Sequence, residues 1–171
     1  YVPSVPGLAE SGYLTSTTAM ELDEVPESLL VLGGGYVALE MAQLFSRLGS
    51  RVTMLVRSRL ASQEEPEASK ALAGVFADEG IRVVQRATVD TVERDEASGG
   101  IIASASVAGG KETFRADRLL VAVGRRPVTE DLDLDAVGVK TGTAGELVVD
   151  SRLATSNPRI CAAGDVTGPP Q

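Results

Sequence analysis

Residues 28–56 read SLLVLGGGYVALEMAQLFSRLGSRVTMLV. The stretch begins with a short run, SLLVL at 28–32, of the continuous apolar kind that forms a strand buried on both faces of a parallel sheet. Gly33, Gly34 and Gly35 interrupt it. Val37, Met41, Leu44, Phe45 and Leu48 then recur at helical spacing, and Gly49 stands where the helix should end. A second strand, RVTMLV, follows at 51–56. Strand, helix and strand in this order predict two parallel strands joined by a right-handed crossover.

The same reading extends in both directions. Residues 64–80 have helix-forming composition, acids in the first turn and Gly80 at the expected end, and 81–85, IRVVQ, predict a third strand. From 88 to 118 the character changes to short runs, TVDTVERD, GIIASASVA and ETFRADR, separated by Ser-Gly-Gly and Gly-Gly-Lys. These predict an antiparallel meander, after which LLVAVG at 119–124 returns to a buried strand. Residues 1–26, rich in Pro, Gly, Ser and Thr, predict a lead-in with little regular structure. Residues 125–171 predict a loop, a short helix and an edge strand. The fold class is α/β: a three-layer nucleotide-binding domain built on βαβ units, with an antiparallel meander at 27–124 and separate segments at 1–26 and 125–171.

Composition narrows the chemistry. The chain has 171 residues, a formal charge of −8, one cysteine and no histidine. Net negative charge disfavours nucleic acid and anionic membrane surfaces as partners. Without a membrane-length apolar run or a basic, apolar leader, the expected location is the cytoplasm. A single cysteine excludes an internal disulfide, and the missing histidines exclude the common triads and zinc centres, so no metal site is expected. Cys161 reads as a small buried hydrophobe. Whatever reaction takes place must be carried by a bound group.

Gly33, Gly35 and Ala38 form G-x-G-x-x-A between a strand and a helix. In that context the motif reads either as a dinucleotide site, in which the first glycine makes the tight turn, the second admits the pyrophosphate and the small third residue lets helix and strand pack closely, or as a Gly-rich turn that merely packs. The phosphates would meet free N–H groups at the positive end of the helix dipole. Where an NAD-binding chain usually places an acid, this one has Arg57, Ser58 and Arg59. They read either as ligands of a 2′-phosphate, favouring NADPH over NADH, or as solvated surface charge. Glu40 reads either as a helix-surface acid or, beside Val37, Met41 and Leu44, as a carboxylate that needs a partner.

LLVLGGGYVALEMAQLFSRLGSRVTMLVRS, LLVAVGRRP and ICAAGDVT, in this order and spacing, resemble the flavin-dependent pyridine nucleotide-disulfide oxidoreductases, a Rossmann-like family. The flanking stretches 13–36 and 164–171 most resemble its mercury(II)-reducing branch. The resemblance implies an NADPH domain that interrupts an FAD domain, the latter resuming at Gly124-Arg125-Arg126-Pro127. It implies that Gly33, Gly35 and Val37 lie at the nucleotide, and that Arg57, Ser58 and Arg59 hold the 2′-phosphate. Glu40 and Tyr36 would stand near nicotinamide and flavin, with Tyr36 shielding the flavin or, on a plainer reading, only packing. Val89 would lie near the adenine end, Gly124 close to the cofactor, and Asp165 on the ribityl chain of FAD. A homodimeric parent would pass hydride from NADPH to FAD and on to Hg(II), giving Hg(0). The fragment alone would not be catalytic. The alternatives are another FAD-dependent disulfide reductase, of dihydrolipoamide dehydrogenase or glutathione reductase type, or a non-catalytic NADPH-binding module.

Overall fold

Strand β1, Ser28–Leu32, is central because four consecutive apolar side chains leave it no face for water: Leu29, Leu30 and Val31 are wholly buried and Leu32 nearly so. Each full burial is worth about 1.5–3 kcal/mol. In the computed structural model, which describes residues 1–168, β1 pairs in parallel with β2, Arg51–Val56, on one side. Beyond β2 lies β3, Arg82–Gln85, also parallel. On the other side of β1 the chain later inserts β7, Arg118–Val121, giving the order β3-β2-β1-β7.

The crossovers are helices α2, Tyr36–Arg47, and α3, Pro66–Asp78; α1, Ser16–Ala19, is a single turn in the lead-in. Side chains alternate along a strand, so β1 feeds two cores. Leu29 and Val31 face the helices and meet Ala38, Met41, Ala42, Phe45 and Phe76. Leu30 and Leu32 face the antiparallel sheet of β4, Thr88–Arg94, β5, Ile101–Val107, and β6, Gly110–Ala116. That meander is bonded in the order β4-β5-β6, and Ala103 and Ala105 on β5 are small enough to let it close on the parallel sheet. The α/β three-layer expectation holds.

One local expectation is revised. The buried stripe of α2 is Ala38, Leu39, Met41, Ala42 and Phe45, whereas Leu44 and Leu48 are exposed. The alanines let the helix approach the sheet, which turns the larger leucines outward. The lead-in, though poor in regular structure, is packed: Leu8 and Leu14 are buried. Leu14 extends the parallel sheet by a single bridge, its N–H donating to Leu119 O at 2.7 Å and its carbonyl accepting from Val121 N at 2.8 Å.

The chain divides into two compact units, Tyr1–Gly124 and a second from Arg125 on. In the second, the short helix is reduced to a 3-10 turn, Glu130–Leu132, stopped by Asp133 in the left-handed region (φ 46°). The edge strand is reduced to an isolated bridge between Thr141 and Leu147. Val139 and Leu147 are its buried apolar residues, while Val128 is 84 % exposed. Residues 169–171, the end of the stretch GDVTGPPQ, lie outside the described residues.

Two charged contacts in the first unit bear on its pH dependence. The Glu79 carboxylate accepts from Arg47 Nη2 at 2.6 Å, from Arg47 Nε at 3.2 Å and from Gln43 Nε2 at 2.9 Å, tying the end of α3 to α2. Asp95, in the β4–β5 turn, accepts from Ala97 N at 3.1 Å and Arg115 Nη1 at 2.9 Å. Arg47 holds the Glu79 carboxyl below its usual range, and the Ala97 N–H does the same for Asp95. Groups depressed on folding stabilise the native state above their unfolded pKa and cease to do so as pH falls through the folded one. Stability should therefore decline as pH drops below about 4. In urea titrations across that range, Glu79→Gln and Asp95→Asn should each flatten the decline; an unchanged slope in both would remove these carboxylates from the account.

Candidate nucleotide site

The residues after β1 divide into two that pack and one that faces open space. Gly33 has φ +130°, and a Cβ there would stand 2.2 Å from Ala122 O and 3.3 Å from Ala38 Cβ. Its N–H donates to Leu55 O at 3.1 Å, so the turn is held on both sides by neighbouring strands. Ala38 is fully buried against this turn. At Gly34 a Cβ would meet Val56 Cγ1 at 2.5 Å. The motif reading missed Gly34, which occupies a variable position in the pattern; the run of consecutive glycines was the available signal.

At Gly35 a Cβ would meet nothing within 4 Å. Gly35 is the extended N-cap of α2, without a side-chain cap. Leu39 N already bonds Gly35 O at 3.0 Å, while the N–H groups of Tyr36, Val37 and Ala38 have no acceptor among the described residues. Uncapped donors, the positive end of a helix dipole and space in front of them make an anion cradle. The residues present thus fit a dinucleotide pyrophosphate.

The other predicted positions fall on several elements. Val37 is half-buried against the helix-side core. Arg57 and Ser58 are exposed just beyond β2. Arg59 is different: its Nη2 donates to Ser62 O at 3.1 Å and Glu64 O at 2.7 Å, and its Nη1 is buried without a partner. Its guanidinium shapes the loop between β2 and α3. Tyr36, 59 % exposed, donates its phenol O–H to Glu64 Oε1 in that loop. This bond and the negative charge of Glu64 raise the Tyr36 phenol above its usual pKa. The sequence reading had not singled out Glu64.

Glu40 is exposed and has no hydrogen-bond partner among the described residues, so the apolar stripe does not confine it. Val89 is half-buried on β4, packed against the meander-side core where the β4–β5 register shifts. Gly124 has φ +132° with open space at its Cβ position, and its carbonyl accepts from the Tyr1 amino group at 2.9 Å.

In the second unit, Asp165 opens a 3-10 turn, Asp165–Thr167, directly after Gly164 at φ +82°. Its side chain is 97 % exposed, with Arg125 Nη1 at 3.9 Å. Such an exposed carboxylate is free to accept from the hydroxyls of a ligand. Cys161, expected to be buried, is exposed. It bridges Ala154 in an extended segment whose flanking residues, Ile160 and Ala162, are half-buried, and the alternation of extended backbone turns the thiol outward. Among the described residues, no helix is long and apolar enough to cross a membrane, and no cluster of His, Cys, Asp and Glu could hold a metal ion.

Residues 1–171 match the family described as pyridine nucleotide-disulphide oxidoreductase. The chain is 58 % identical over 165 residues to a mercuric reductase of Streptomyces lividans, covering 96 % of this chain and 34 % of that protein. It is 46 % identical over 171 residues to a mercuric reductase of Staphylococcus aureus, covering 99 % of this chain and 31 % of that one. Among solved structures, a HOCl-induced flavoprotein disulfide reductase of Escherichia coli superposes over 100 % of this chain and 38 % of its own, with TM-score 0.88 and 33 % identity. The chain thus spans about a third of the length of these relatives. With a family match over its whole length, the chain belongs to the pyridine nucleotide-disulphide oxidoreductase family.

Proposed function

We propose that Tyr1–Gly124 is the NADPH-binding unit of an FAD-dependent oxidoreductase, and that the protein containing it reduces Hg(II) to Hg(0). The observation that carries the nucleotide reading is the uncapped N-terminus of α2 behind an open Gly35. Gly33 fixes the turn, the N–H groups of Tyr36 and Val37 bind the pyrophosphate, and Arg57 with Ser58 takes the 2′-phosphate. Arg59 contributes by holding the loop that borders the site. Glu40, exposed one turn into α2, stands at the nicotinamide end. The stretch from Arg125 belongs to the flavin domain, with Asp165 as acceptor for the ribityl hydroxyls. The chemistry that the bound cofactors supply is hydride donation by NADPH and two-electron relay by FAD. The residues of this chain bind and orient. The mercury assignment is supported by the names of the relatives at 42–58 % identity.

Two measurements test this reading. Arg57→Ala should weaken NADPH binding about tenfold, the worth of one charge-assisted bond, and leave NADH binding unchanged. Equal loss for both nucleotides would remove Arg57 from the 2′-phosphate site. In the whole protein, NADPH oxidation with excess thiol should rise with Hg(II) and not with glutathione disulfide or lipoamide. Turnover on a disulfide, with Hg(II) acting only as a poison, would favour the disulfide-reductase reading, which the Escherichia coli structure at 33 % identity also supports.

A further inference from the structure

Tyr36 and Glu64 belong to different elements of the nucleotide groove. Tyr36 is the first residue of α2, directly after the open Gly35, and Glu64 lies in the loop between β2 and α3. Strands β1 and β2 are parallel neighbours, so these two segments rise side by side at the carboxyl end of the sheet. A dinucleotide on this fold lies with its pyrophosphate at the α2 N-terminus and its adenosine at the end of β2. It must therefore cross the line along which the Tyr36 hydroxyl donates to Glu64 Oε1.

The loop side of this contact is braced. Arg59 Nη2 donates to the carbonyls of Ser62 and Glu64, at 3.1 and 2.7 Å, and Ala61 N donates to Gly34 O at 2.7 Å. The loop backbone is thus anchored from within and to the glycine turn itself, and Glu64 presents its carboxylate from a fixed base. The Tyr36 side is a single exposed side chain that can rotate about χ1.

We propose that the Tyr36–Glu64 hydrogen bond is a latch across the nucleotide groove, and that Glu64, by positioning Tyr36, sets the affinity of the groove. The proposal rests on the nucleotide reading above. Binding must break the bond, so its strength is subtracted from the affinity. A hydrogen bond to a charged acceptor, partly screened at the surface, corresponds to about three- to tenfold in Kd. Tyr36→Phe removes the donor and keeps ring and charge; Glu64→Ala removes the acceptor.

The experiment is NADPH titration calorimetry on the 171-residue chain, in a double-mutant cycle, with tyrosine ring resonances followed against pH in the same proteins. Each single variant should bind NADPH about three- to tenfold more tightly, and the double variant no more tightly than either. One tyrosine should titrate above the usual range in the wild type, vanish in Tyr36→Phe and return to the usual range in Glu64→Ala. If Glu64→Ala tightens binding equally in the Tyr36→Phe background, Glu64 acts by repelling phosphate and the latch is overturned. Normal titration of all tyrosines alongside intact NADPH binding overturns the latch alone. A raised tyrosine in a chain that binds no nucleotide in any variant overturns the nucleotide reading and the latch with it.

Discussion

Gly33→Ala should cost the chain about 2–5 kcal/mol, or prevent folding outright. Two effects combine. At φ +130° an L side chain is strained, at about 1–2 kcal/mol. In addition, the new methyl would lie 2.2 Å from the carbonyl oxygen of Ala122. That oxygen cannot withdraw freely, because Ala122 N is bonded to Leu32 O at 2.9 Å and continues the ladder between β1 and β7. Gly49, which ends α2 at φ +104° with nothing within 4 Å of its Cβ position, supplies the control. Gly49→Ala carries the conformational strain without the clash. Urea unfolding of the two variants should therefore differ by about 1–3 kcal/mol, the overpacking contribution. If they lose the same amount, close strand approach is not what demands glycine at 33, and the packing explanation of the first motif position fails.

How much of this could be read in advance depends on the range of the interaction. β1, α2 and β2 were legible because continuous apolar runs and a glycine-marked turn are local signals, and the meander because Ser-Gly-Gly and Gly-Gly-Lys punctuate it. The rotation of α2 was not, since Ala38 and Ala42 count weakly as hydrophobes, yet their size decides which face can approach the sheet. The packing of the lead-in was not legible: Leu8 and Leu14 lie among turn-forming residues, and only the folded sheets, the meander for Leu8 and the edge of β7 for Leu14, tell them where to pack. Arg59 was legible as a basic residue just after β2, but its bonds to the carbonyls of Ser62 and Glu64 were not, since hydrogen bonds within a turn follow no periodicity. Glu64 was not legible, because its phenol partner lies 28 positions away. From Arg125 on, single bridges and 3-10 turns replace regular elements, so there was little period to detect.

Gly35→Asp should move stability and binding in opposite directions, which Gly33→Ala cannot do. Gly35 already has the backbone conformation of an N-cap, φ −83° and ψ 178°, and its Cβ position is empty. Asp is among the best capping residues, and its carboxylate would accept from the idle N–H groups of the first turn of α2. Stability should hold or rise, by up to about 1 kcal/mol. The same carboxylate would take the donors that the pyrophosphate needs and set a negative charge against it. Loss of two charge-assisted bonds, at about 1.5 kcal/mol or more each, predicts NADPH binding weakened about a hundredfold or further. Gly35→Asn, which caps without charge, should retain the stability and lose less of the affinity. Because the variant chain is at least as well folded as the parent, the lost binding cannot be blamed on unfolding. Undiminished NADPH affinity in a folded Gly35→Asp chain would mean that the α2 N-terminus is not where the phosphates sit.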